Sequence, residues 1–194
     1  MTKKILMIVG DFVETLETYT PYFTMKMMGL TVDVVCPNKV KGETVCTAVH
    51  DFTTFQTYEE KRGHNLTLTA TFTEVNPTTY DALWIPGGRA PEYLRTDPKV
   101  VEIVKHFMTA NKPVAAMCHG VQLLVPTGTI AGRKITSFPT CEIECTLAGS
   151  EFVKVPNDDC VVDGNLLTSP TWLACPTMML KFVEMCGVKV ITPQ

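Results

Sequence analysis

The stretch Val114-Ala115-Ala116-Met117-Cys118-His119-Gly120 decides how this chain folds. Four apolar residues of buried-strand length stop at a cysteine, and a glycine follows two positions later. A strand that ends at a nucleophilic side chain and turns sharply through small residues is a nucleophile elbow. The turn lifts the Cys118 thiol above a sheet. A helix starting here would aim its N-terminus at the sulfur and favour thiolate. The N–H groups of His119 and Gly120 would lie free in the first turn and could hold an oxyanion, and Gly120 would admit a substrate close to the backbone. In isolation, Cys-His-Gly reads as well as a buried cysteine beside a chance histidine. Its place at the end of a core strand is what gives it chemical meaning.

Outward from the elbow, strands and helices alternate. Ile5 to Val9 is a buried-strand run closed by Gly10. A helix is expected over about 15–28, with Gly29 in the position of a C-cap glycine. Thr31 to Cys36 is a second strand, stopped by Pro37. Ala82 to Pro86 is a third, ending in Gly87-Gly88. A helix over 97–110 takes Asp97 as N-cap and Pro98 as its first residue. Lys134 to Ser137 reads as a short strand, Val161 to Leu167 as a hairpin turning at Asp163-Gly164, 173–185 as a helix and Val188 to Ile191 as a last strand. Residues 38–80 are less regular, with an alternating piece at Leu66 to Phe72, and read as short strands in an excursion. The expected fold is one α/β domain over 1–194, a doubly wound sandwich with a mainly parallel sheet.

Composition narrows the function. The chain has 194 residues, 45% apolar, with a net charge of −3. No basic stripe marks a nucleic-acid or anionic-membrane surface. No run approaches the roughly 18 apolar residues of a membrane span, and Ile5 to Val9 is too short for a signal-peptide core. A cytoplasmic protein is expected. The eight cysteines are scattered without a C-x-x-C pair, so reduced core thiols are expected rather than a disulfide scaffold or zinc ribbon. Cys46, His50 and His64 lack ligand spacing, and no metal is expected.

Ligands in open parallel sheets bind beyond the carboxyl ends of the strands. Three such ends carry chemistry: Gly10 to Glu17, Pro86 to Glu92 and Ala116 to Gly120. Gly87 and Gly88 read either as a tight turn or as oxyanion donors beside the elbow. Glu14 and Glu17 begin the first helix, where acids ordinarily just complement the dipole. A carboxyl held near a thiol in a partly dry pocket would instead have a raised pKa and move protons.

At these strand ends the sequence resembles the ThiJ/PfpI superfamily, which includes the parkinsonism-associated deglycase, intracellular PfpI peptidases and glyoxalase III. The resemblance is carried by Glu17 with Pro21, by Ile85 to Glu92 and by Ala116 to Gly120, and it runs over nearly the whole chain. The finer match, at Thr47 to Phe52, Arg62 to Asn65, Tyr80 to Tyr93, Gly132 to Lys134 and Val161 to Thr168, is to the plant glyoxalase III branch. The resemblance implies a flavodoxin-like sandwich with Cys118 as nucleophile. It implies Glu17 hydrogen-bonded to that sulfur, and Gly88 and His119 N–H groups as oxyanion donors. In the peptidase branch the histidine after the cysteine pairs with a neighbouring subunit's carboxylate, which falls on Glu92. Three departures stand out. The plant enzymes carry two such domains and this sequence one. Val125-Pro126-Thr127 breaks the helix expected after the elbow. Trp172-Leu173-Ala174-Cys175-Pro176 lacks the histidine of the relatives' Gly-His-Pro.

The expected activity is a cofactor-free glyoxalase III or deglycase. Cys118 would add to methylglyoxal or a similar aldehyde, with Glu17 moving a proton between its carbons. The alternatives are a PfpI-type cysteine peptidase using Cys118, His119 and Glu92, and a redox sensor or chaperone built on an oxidisable Cys118. A homo-oligomer is expected, with Glu92 near the contact and Phe12, Tyr19 and Tyr22 in an apolar patch.

Overall fold

The computed structural model describes residues 2–190. In chain order the elements are β1 (Lys4–Ile8), β2 (Val13–Glu14), α1 (Thr15–Met27), β3 (Thr31–Val35), β4 (Thr44–Asp51), β5 (Glu59–Thr67), β6 (Ala82–Ile85), α2 (Ala90–Leu94) and α3 (Pro98–Thr109). They continue with β7 (Val114–Met117), β8 (Lys134–Ile135), α4 (Glu142–Leu147), β9 (Glu151–Phe152), β10 (Val161–Asp163), β11 (Leu166–Ser169) and α5 (Cys175–Met185). Six strands form the central sheet in the order β10-β11-β7-β6-β1-β3. Every pairing in it is parallel except the β10–β11 hairpin. Every residue of β6 and β7 is buried, as strands covered on both faces must be. This is the flavodoxin-like architecture.

Capping chemistry sets the helix ends at the residues the sequence marks. Gly29 has φ +77, the N–H of Gly29 reaches Lys26 O and that of Leu30 reaches Met25 O, so α1 ends in a Schellman motif. Asp97 caps α3 by accepting from the Lys99 and Val100 N–H groups. Within α1, Pro21 has no N–H to give the Glu17 carbonyl one turn earlier. That carbonyl is instead held by the indole Nε1–H of fully buried Trp84 at 3.0 Å. The proline thus frees a backbone acceptor through which β6 grips the first turn of α1.

Four expectations are corrected. Residues 38–80 hold a long antiparallel hairpin of β4 and β5, its register shifted once between Cys46 and Ala48, joined by β2 into a second, three-stranded sheet. The polar run Glu59-Glu60-Lys61-Arg62 hides β5, because pairing with β4 rather than hydropathy makes it a strand. At Leu66 to Phe72 only Leu66 and Thr67 are strand, and Phe72 opens a single 3₁₀ turn. Val188 to Val190 do not continue as a strand, and Ile191 lies outside the described residues. The piece at Lys134 shrinks to two residues paired with β9, off the main sheet.

Trp84→Phe strands the buried Glu17 carbonyl and trims the core, and should cost at least about 2 kcal/mol in denaturant unfolding. The same change in a Pro21→Ala background should cost less, because alanine at that position brings back the helical N–H. Equal costs in both backgrounds would refute the proline–tryptophan coupling.

Candidate active site

Cys118 sits at the carboxyl end of β7 with φ +56, a left-handed conformation rare for a residue with a side chain. The elbow is therefore real and strained. It does not lead into an α-helix: residues 118–123 form 3₁₀ turns, and Val125–Thr127 another, where Pro126 interrupts. Gly120 lies against the Ile85 carbonyl, close enough to exclude a Cβ. Its smallness serves the packing of the turn on β6 rather than substrate approach.

The other two strand ends are stitched beneath the elbow. The Glu14 N–H donates to the Gly87 carbonyl at 3.2 Å, and the Arg89 N–H to the Phe12 carbonyl at 3.0 Å. Gly88, at φ +72, lies so near Glu14 N and Phe12 O that no side chain fits. A Cβ on Gly87 would stand 2.7 Å from the Glu17 carboxyl and 2.8 Å from Cys118 Cβ. The two glycines bring carboxyl and thiol together.

Glu17 is completely buried. Its Oε2 accepts from the Gly87 N–H at 2.6 Å, while Oε1 has no partner in the protein. Gly87 therefore positions Glu17 instead of serving as an oxyanion donor. Burial, and then the neighbouring Glu14, hold the Glu17 carboxyl well above the usual range, which favours its protonated form. Burial pushes the Cys118 thiol upward and a charged Glu17 would push it further, while the His119 and Gly88 N–H groups pull it down. With Glu17 protonated that repulsion is absent, and the two N–H groups are what a thiolate leans on. The support comes from local donors, not from the dipole of a long helix.

Glu14 caps α1, accepting from the Glu17 N–H at 2.8 Å, and its carboxyl is pushed up to about 7 by burial. His119 turns Nδ1 to Cys118 Sγ at 3.3 Å, and its ring stacks on Phe138. Burial, then His50, depress it to about 4, so it is neutral and forms no thiolate–imidazolium pair. Glu92 stands exposed on α2 and does not line the crevice. Among the described residues no carboxylate hydrogen-bonds His119, and Glu144 acts on it only through its charge.

The crevice over Cys118 is narrow: the space open to the centre of a water-sized sphere is about 10 Å³, so only a very small molecule reaches the sulfur. Besides the expected Glu14, Glu17, Gly88 and His119, it is lined by His50, Phe52, Tyr58, Phe138 and Trp172. Sequence reading missed these five. His50 is buried on β4 while its neighbour Val49 is half-exposed, the reverse of what hydropathy expects, so the sequence carried no signal for it. Cys175, where the resemblance leads one to expect histidine, packs on the Leu16 carbonyl and Met117 sulfur and does not line the crevice. All eight cysteines are free, and only Cys46 is more than marginally exposed. Among the described residues no cluster of three or more His, Cys, Asp or Glu side chains could hold a metal, and no helix is long and apolar enough to cross a membrane.

Known proteins share sequence and fold with this chain. The profile of the DJ-1/PfpI family matches residues 3–185. Protein DJ-1 homolog D of Arabidopsis thaliana is 42% identical over 97% of this chain and 49% of its own length. Deglycase PH1704 of Pyrococcus horikoshii is 34% identical over 94% of this chain and 98% of its own. The chain thus spans about half the length of the Arabidopsis relatives it matches and nearly all of the archaeal one. The crystal structure of Drosophila melanogaster DJ-1beta superposes with a TM-score of 0.80 at 21% identity, covering 97% of this chain and 92% of that one.

The Glu14 pKa carries a stability consequence. Below pH 4.5 folded and unfolded chains both hold this proton; from 4.5 to about 7 only the unfolded chain releases it, so stability falls as pH rises through that window. Glu14→Gln keeps an acceptor for the Glu17 N–H and removes the titration. In urea unfolding its stability relative to wild type should rise by about 1–3 kcal/mol between pH 4.5 and 7. A difference that stays constant over the window would show that Glu14 ionises normally in the fold.

Proposed function

The chain belongs to the DJ-1/PfpI family, and from that premise we propose that it is a deglycase-type enzyme with glutathione-independent glyoxalase activity, acting on small 2-oxoaldehydes such as methylglyoxal through a Cys118 hemithioacetal. One observation carries the reading: a fully buried Glu17, one oxygen fixed by the Gly87 N–H and the other unpartnered, lies beside the thiol of the strained elbow. Deglycase is also the name borne by relatives that match this chain over nearly their whole length.

The sulfur adds to the aldehyde carbon, and the oxygen that gains charge meets the Gly88 and His119 N–H groups. Glu17 gives its proton to that oxygen and takes the thiol's proton in exchange, so it ends the addition protonated. It then gives a proton to the C2 carbonyl oxygen and takes the C1 hydrogen as a proton, leaving an enediol. Last, it gives that proton to C2 while taking the one on the C1 hydroxyl, so it is protonated again when the thioester forms. The product is a thioester of a 2-hydroxy acid on Cys118, and hydrolysis frees both. His119 cannot share this work as an acid, because its imidazolium does not persist near neutral pH.

Incubation with methylglyoxal and no glutathione should yield lactate. Cys118→Ala should leave at most a few per cent of the rate. Glu17→Gln, which keeps the shape and loses the titrating proton, should slow it at least about 100-fold. A near-normal Glu17→Gln rate would reduce that residue to a structural role, and absence of lactate from the wild-type protein would overturn the assignment.

A further inference from the structure

The crevice contains a second imidazole for which the hemithioacetal route has no use. His50 is buried, with 6% of its surface exposed. It lies opposite Glu60 in the β4–β5 register, and its Nε2 meets Glu60 Oε2 at 3.1 Å. Arg89 grips the same carboxylate through both oxygens, at 3.2 and 2.9 Å, and stacks its guanidinium on Phe12 at 4.0 Å. A carboxylate accepts, so Nε2 must carry the hydrogen and donate it. That fixes the tautomer and leaves Nδ1 with a bare lone pair. Nδ1 is buried and has no partner in the protein. A buried acceptor without a donor is costly unless a ligand or water supplies one.

Its surroundings say what that donor does. His50 lines the same crevice as Cys118, Glu17 and His119. The Tyr58 ring stands edge-on to both imidazoles, centred 5.1 Å from His50 and 5.7 Å from His119, and Trp172 Nε1–H holds the His50 carbonyl. A Cys118 thioester releases its acid only after water attacks the acyl carbon. Glu17 has by then finished its transfer and is again protonated, and His119 Nδ1 is turned to the sulfur.

We propose that His50 is the base of this hydrolytic step, its Nδ1 taking a proton from the attacking water while the Glu60–Arg89 pair holds the ring. The proposal rests on the thioester route of the proposed function. The water oxygen bonds to the acyl carbon and the C–S bond breaks. The sulfur leaves as thiolate, and the proton held on His50 returns to it. The released 2-hydroxy acid loses its own proton to solvent. Burial holds His50 below its ordinary pKa, so it is free to accept, and Glu60 steadies the imidazolium once formed. His119 has no such carboxylate partner.

The test separates the two half-reactions. Wild-type protein and His50→Gln are mixed with excess methylglyoxal; lactate is followed over time, and the mass of the Cys118 peptide is read from acid-quenched samples. His50→Gln should fold as the wild type does, consume about one equivalent of aldehyde at the wild-type rate, accumulate an acyl adduct on Cys118 and turn over about 100-fold more slowly. Glu60→Gln, which frees the ring without removing it, should show the same adduct with a loss of about tenfold. Turnover of His50→Gln within threefold of wild type would overturn the proposal. So would equal loss of the first equivalent and of turnover in a folded His50→Gln, since the residue would then act before the thioester. Failure of the wild-type protein itself to make lactate would instead overturn the thioester route and take this proposal with it.

Discussion

A carboxyl group buried to zero exposure beside a thiol is the constraint around which this structure is arranged. Burial favours the neutral form of Glu17, and the fold devotes several separate features to holding it. Pro21 leaves its carbonyl free for Trp84, the Gly87 N–H fixes Oε2, and Glu14 accepts from its backbone N–H. Each of these comes from a different part of the chain, and each is itself buried. Moving Glu17 therefore means moving the first turn of α1, the end of β6 and the loop between β1 and α1 together.

The same packing forces the elbow. Cys118 adopts φ +56 because the chain must leave β7 and turn at once, with Gly120 pressed on the Ile85 carbonyl. Strain of that kind costs on the order of 1–3 kcal/mol and persists only where neighbours over-determine it. Here the neighbours are fully buried strands on both sides, so the cost falls on the most stable part of the molecule. The thiol is raised into a crevice whose floor is rigid and whose roof is aromatic.

That roof comes from the second sheet and the loops near it. Tyr58, Phe138, Phe52 and Trp172 converge over His119 and the sulfur from distant parts of the chain. They exclude water from a site where both carboxyls are pushed up and both histidines down. A single cause, desolvation, thus poises every titrating group in the crevice. It also undoes any simple cysteine–histidine dyad, because a histidine pushed down to about 4 cannot hold charge beside the sulfur.

What sequence alone determined is what local chemistry determines. Apolar runs ending in Gly10, Gly87-Gly88 and Cys118 marked the strands of the parallel sheet and the edge where a site forms, since such runs are buried whichever way they are arranged. Gly29, Asp97 and Asp163-Gly164 marked helix ends and a hairpin through their own backbone preferences. Glu14 and Glu17 were legible as candidates, but not their division of labour, which needed the Gly87 N–H to reach one of them. The β4–β5 hairpin, the Tyr58, Phe138 and Trp172 roof and the His50–Glu60–Arg89 chain lay beyond sequence. Glu60 sits in a polar run with no strand pattern, and only the register across the hairpin sets it opposite His50. A slip of one residue would turn His50 to the other face. Pairing and register are long-range choices, decided by what the whole chain buries, and they decide which side chains reach the sulfur.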